Sequence, residues 1–99
     1  MNKKLNNQSK NNQKKLFAIK YHSEMTDESH YFVHNNLLIL SSYNKEIKEL
    51  VDTDDANRRI ELFDLLYDKG FKYYTNQNSS IDDNIMDNLI VIKEHSYRF

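Results

Sequence analysis

One glycine, Gly70, and no proline punctuate this 99-residue chain. Phosphate-cradling loops need several residues that accept positive φ or let a ligand approach the backbone, and glycine does both without steric cost. A chain with one glycine cannot build such a loop, which excludes P-loop and Rossmann-type sites. Its tight turns fall to asparagine, which tolerates the left-handed region better than any residue but glycine. Cysteine is absent as well, so disulfides, thiolate metal sites and cysteine nucleophiles are excluded.

Between these sparse breaks the hydrophobic period assigns the elements. Phe17, Ile19 and Tyr21 alternate with Ala18, Lys20 and His22, the pattern of a half-buried strand starting at Leu16. Ser23–Ser29 reads as a polar loop and Tyr31–His34 as a second strand. Asn35 and Asn36 suit a tight hairpin turn into a third strand, Leu37–Leu40, apolar on both faces and central in the sheet. The period then changes. Tyr43, Ile47, Leu50 and Val51 form a helical stripe, and Asp52–Asp55 ends that helix and caps the next. Ala56, Ile60, Phe63 and Tyr67, with Leu62 and Leu66 alongside, make the second stripe, which Lys69 and Gly70 close with a cation and a C′ glycine. Phe71–Thr75 is a fourth strand. Ser80 with Asp83 approximates a capping box for a short helix carrying Ile81, Ile85 and Leu89, and Ile90–Phe99 is a closing strand. The order is β-β-β-α-α-β-α-β. It describes an α+β fold, a mostly antiparallel sheet packed against two or three helices, as one domain over 16–99 behind a flexible basic arm, 1–15.

Charge divides at the same boundary. The arm carries Lys3, Lys4, Lys10, Lys14 and Lys15 and no acid, whereas residues 16–99 carry nine Lys/Arg against fifteen Asp/Glu, a net −6. Five lysines among Asn and Gln can neutralise phosphates of nucleic acid, or meet an acidic partner. The arm has no Arg and no aromatic, so it is poorly equipped to read or stack on bases. In the body, Asp52, Asp54, Asp55, Glu61, Asp64 and Asp68 gather around the start and one flank of the second helix. Capping accounts for some of them, and an acidic face that docks on a basic groove accounts for the group. No stretch reaches the ~20 apolar residues of a membrane span, and LFAI is too short for a signal-peptide core. A cytoplasmic protein with no membrane partner is expected.

Catalytic constellations are thin. His30 and His34 share one strand face and His22 lies on the neighbouring strand. If the three converged with Glu24 or Glu28 they would hold a divalent metal, which makes a metal-dependent enzyme the third reading. His95 is expected at the surface. The pairs Asp54/Asp55 and Asp82/Asp83 precede helices and are read as caps, and Glu46-Ile47-Lys48 on a helix does not bring its ends together. No cofactor is implied. Seven tyrosines are many for this length. Tyr73 and Tyr74 must face opposite sides of a strand, and with Tyr97 and Phe99 they suit an interface with another protein or a homodimer seam.

The leading expectation is a small non-enzymatic binding factor. It would resemble in kind the compact inhibitors of nucleic-acid-handling defence proteins that phages and mobile elements encode. Its contact residues would be Asp52, Asp54, Asp55, Glu61, Asp64, Tyr73 and Tyr74. The alternative is a nucleic-acid-binding module that uses the arm lysines.

Overall fold

The computed structural model describes residues 15–76 and 87–97. Its elements are β1 (Leu16–Ser23), β2 (Ser29–His34), α1 (Leu37–Ser42), α2 (Asn44–Asp52), α3 (Ala56–Asp68), β3 (Lys72–Thr75) and β4 (Leu89–Tyr97). The strands form one sheet in the order β3-β2-β1-β4, antiparallel between β1 and β2 and between β2 and β3, and parallel between β1 and β4. The class is α+β with a mixed sheet. Of the short helix expected from Ser80, residues 80–86 lie outside the described residues, and Leu89 belongs to β4.

The alternation in β1 survives intact. Ile19 and Tyr21 join Phe32 of β2 in the main core with Leu40, Ile47, Leu50, Leu62, Leu66 and Phe71, so this face of the sheet carries the helices. Ala18, Tyr31 and Val33 form a smaller cluster on the opposite face. Between Ser23 and Ser29 the chain reverses through Asp27, whose φ of 59° makes it the one non-glycine at positive φ among the described residues. The left-handed position expected of Asn35 or Asn36 falls here instead.

Leu37–Leu40 is a helix and not the central strand its composition suggests. The Asn36 side chain accepts from the Ile39 N–H and acts as an N-cap, and the Ser42 hydroxyl donates to the Ile39 carbonyl. A strand apolar on both faces would bury all four residues. In the helix Leu40 is fully buried while Leu38 is 81% exposed. Asparagine serves hairpin turns and helix caps equally well, and four apolar residues are too few to show a period.

The second correction concerns the face of α3. Leu62 and Leu66 enter the core, whereas Ile60 and Tyr67 of the expected core stripe are 59% and 81% exposed. The helix carries two apolar stripes and only one can meet the sheet. Asp55 caps its N-terminus by accepting from the N–H groups of Asn57 and Arg58. Arg58 ties α3 to α2 through a two-point contact with Glu49, at 2.6 and 2.9 Å, and also reaches Glu61 at 3.1 Å. This guanidinium holds the Glu49 carboxyl below its ordinary pKa.

A single imidazole closes the helical layer onto the sheet. His34, at the end of β2, accepts at Nδ1 from the Asn36 N–H (2.9 Å) and donates from Nε2 to the Lys69 carbonyl (2.8 Å). It therefore holds both the entry to α1 and the exit from α3. That exit is a Schellman turn, in which the Gly70 N–H bonds to the Tyr67 carbonyl and the Phe71 N–H to the Leu66 carbonyl. Gly70 sits at φ 93°, and a Cβ there would lie 3.1 Å from Nε2 of His34. Both the conformation and the close approach require glycine. Gly70→Ala is expected to cost about 1–3 kcal/mol, while Lys69→Ala, which keeps the carbonyl, shifts stability by less than about 0.5 kcal/mol; urea unfolding of both variants measures the difference.

Candidate functional site

Because β3 returns antiparallel to β2, Tyr73 pairs with Phe32 and Tyr74 with Tyr31. Directly paired residues share a face, so Tyr73 looks toward the helices and Tyr74 toward the opposite side, where it packs against the second cluster. Tyr73 stands between two openings. On one side lies a groove of about 320 Å³ walled by Phe63, Tyr67, Phe71 and Tyr73. On the other lies a cleft of about 390 Å³ lined by Glu28, His30, Asp52, Asp54, Arg59, Phe63, Tyr73 and Tyr97, among others. Phe32, Phe63 and Tyr73 border both.

The cleft concentrates the titratable chemistry of the described residues. His30 bonds through Nδ1 to the Tyr73 hydroxyl, with the rings stacked at 5.8 Å, and Nε2 lies 3.4 Å from Glu28. Arg59 donates to the Leu50 carbonyl in the last turn of α2 (3.3 Å), which aims its guanidinium at the helix C-terminus. Burial lowers the His30 pKa below 6.5, and Glu28 opposes that shift. Burial raises the Tyr73 phenol to about 12, assisted by Glu28 and resisted by Arg59. Tyr97 is raised by the same causes, burial first. The cleft thus holds a neutral imidazole and two neutral phenols beside fixed charges.

The structure separates the residues that the sequence grouped. His22 and Ser29 pair on the face away from the helices, and His22 bonds to Ser29 Oγ (3.0 Å) and Asp27 (3.3 Å). His30 and His34 share the other face but lie four strand residues apart, about 13 Å, and both nitrogens of His34 are engaged. The three histidines therefore do not converge. Among the described residues no group of three or more His, Asp or Glu stands close enough to hold a metal. His95, expected at the surface, is half-buried and stacks on Tyr21 at 4.6 Å.

Among the acids, Asp55 is a cap, Glu61 pairs with Arg58, and Asp52 pairs with Lys48 at 2.7 Å. Asp54 lines the cleft, and Asp64 is exposed on α3 between Ile60 and Tyr67. Lys3, Lys4, Lys10 and Lys14 lie outside the described residues, and Lys15 is exposed. Sequence reasoning placed Glu28 with the histidines, and it does stand beside His30, but it missed Arg59, the place of Phe63 in the cleft wall and the placement of Tyr97. The signal that could have found them is the shared parity of His30 and Phe32 combined with a β2–β3 pairing. No protein-family model, no curated protein and no solved structure matches this chain.

His30 and Tyr73 give opposite pH dependences. Below about pH 6.5 the unfolded chain protonates His30 before the fold does, so stability falls as pH drops through that range. A His30→Gln variant is expected to lose less stability than the parent between about pH 7 and pH 5. Above 10 the unfolded chain releases the Tyr73 proton that the fold keeps up to about 12, so stability is lost across that interval. Ultraviolet phenolate titration of the folded protein should show a late step that Tyr73→Phe diminishes, Tyr21 and Tyr97 also being raised by burial; a profile unchanged by the substitution contradicts the burial of this phenol.

Proposed function

We propose that this chain is a small non-enzymatic, cytoplasmic binding factor that docks on the basic surface of a larger protein. The observation that carries this reading is the outward face of α3. There Ile60, Asp64 and Tyr67 follow one another at helical spacing, all exposed, with the aromatic groove beside them. Large apolar side chains interleaved with a carboxylate have no use in the core, which Leu62 and Leu66 already fill from the other side of the helix. An apolar centre with a charged rim is the anatomy of a protein interface.

Charge selects the partner class. The body carries a net −6, and Asp54, Glu61, Asp64 and Asp68 are exposed along and ahead of α3. Such a face is attracted to basic surfaces, among which nucleic-acid-binding grooves are the most strongly charged. Covering such a groove would make the protein an inhibitor of the kind mobile elements encode. Among the described residues no helix is long and apolar enough to cross a membrane.

Cross-linked capture from a lysate of the source organism tests this. The parent and a variant lacking residues 2–15 are expected to capture the same basic protein. Asp64→Lys with Tyr67→Ala should lose it while unfolding at the parent's urea midpoint, and Glu94→Lys on β4 should keep it. Equal capture by the α3 variant, or loss on removing the arm alone, contradicts the reading.

A further inference from the structure

We propose that the cleft between β2, β3 and the α2–α3 junction receives a lysine or arginine side chain of the bound protein, as the anchor of the interface. This rests on the protein-binding reading and names the chemistry of its central contact. Three features of the cleft point the same way.

The first is shape. At about 390 Å³, the opening is large enough for one long side chain and too small for a folded element. The second is its walls. Phe63 and Tyr73 meet edge to face at 5.1 Å, Tyr73 contacts Phe32 at 5.2 Å, and Tyr97 lies across from them, 6.3 Å from the His30 ring. Aromatic faces attract a cation through their quadrupole and also cover the methylene stem that Lys and Arg carry.

The third is charge. Glu28, Asp52 and Asp54 border the cleft against one guanidinium, that of Arg59. Lys48 offsets Asp52, and Arg59 is directed to the Leu50 carbonyl. Asp54 makes no hydrogen bond or ion pair to a described residue. The excess negative charge therefore rests on Asp54, which is exposed, and on Glu28, which lies 3.4 Å from His30 Nε2, and an incoming ammonium or guanidinium would meet both. His30 adds no competing positive charge, because burial keeps it neutral near pH 7. An anionic side chain would meet these carboxylates, and an apolar one would strand them in a closed interface.

Proton NMR titration of the full chain with N-acetyl-arginine amide tests the site without the partner. The expected result is saturable shifts of the Tyr73, Tyr97 and Phe63 ring signals. N-acetyl-norleucine amide and N-acetyl-glutamate amide should move them little. Asp54→Asn and Glu28→Gln, which keep shape, should each weaken arginine binding by up to about fivefold. No ring shift with the arginine probe, or equal shifts with the neutral or acidic probe, overturns the assignment. Either failure leaves the capture result on α3 standing, whereas loss of capture selectivity with arginine binding retained would overturn the docking face and not the cleft.

Discussion

The contact on which the remaining structure depends is the imidazole of His34. The chain leaves the sheet after β2, runs through three helices and returns as β3 beside the strand it left. Departure and return are both bonded to one ring, the Asn36 N–H to Nδ1 and the Lys69 carbonyl to Nε2. Phe71 packs against the same ring at 4.9 Å, so the polar bridge also positions an apolar side chain of the core. A buried side chain whose two ring nitrogens have one partner each tolerates little displacement. The closure explains why the only glycine of the chain stands at position 70, where a side chain would both strain the backbone and crowd the ring.

Closing the excursion at this point sets the register of β3, and the register creates the cleft. With Val33 opposite Lys72 and Phe32 opposite Tyr73, Tyr73 comes to stand over Phe63 and beside His30. A slip of one residue would put Tyr74 there and turn Tyr73 to the far face. The Arg58–Glu49 contact acts similarly between α2 and α3, fixing how Arg59 and Asp54 face the sheet. These ion pairs are exposed, so they contribute little to stability, and their value lies in orientation.

Much of the architecture was legible in the sequence. The alternation in β1, the stripe of α2, the Lys69–Gly70 terminus of α3 and the opposed faces of Tyr73 and Tyr74 all appear as expected. What failed did so for identifiable reasons. Asn36 heads an apolar tetrapeptide that a hairpin and a capped helix use with equal ease. Ile60 and Tyr67 have the period of a core stripe, but Leu62 and Leu66 compete for the same sheet and win, since only one face of a helix can be buried against it. The parallel pairing of β4 with β1 is a long-range choice that no local pattern encodes. The cleft draws on β2, β3, β4 and the α2–α3 junction, so it could be seen only after pairing was known. That separation in sequence is also why the acids looked like one group. In the fold they divide into a cap, ion pairs, Asp54 at the cleft, and Asp64 and Asp68 exposed on α3.

The outward face of α3, the groove and the cleft all lie where β3 and α3 are held by the His34 bridge, so the protonation pattern of that ring is the most direct test of the account. A long-range proton–nitrogen correlation spectrum of the folded protein at mildly alkaline pH resolves it. The structure predicts a ring with the proton on Nε2, slowed in exchange by its bond to Lys69, and an Nδ1 with the nitrogen shift of a hydrogen-bond acceptor. A proton on Nδ1, or rapid averaging between the two tautomers, would contradict it.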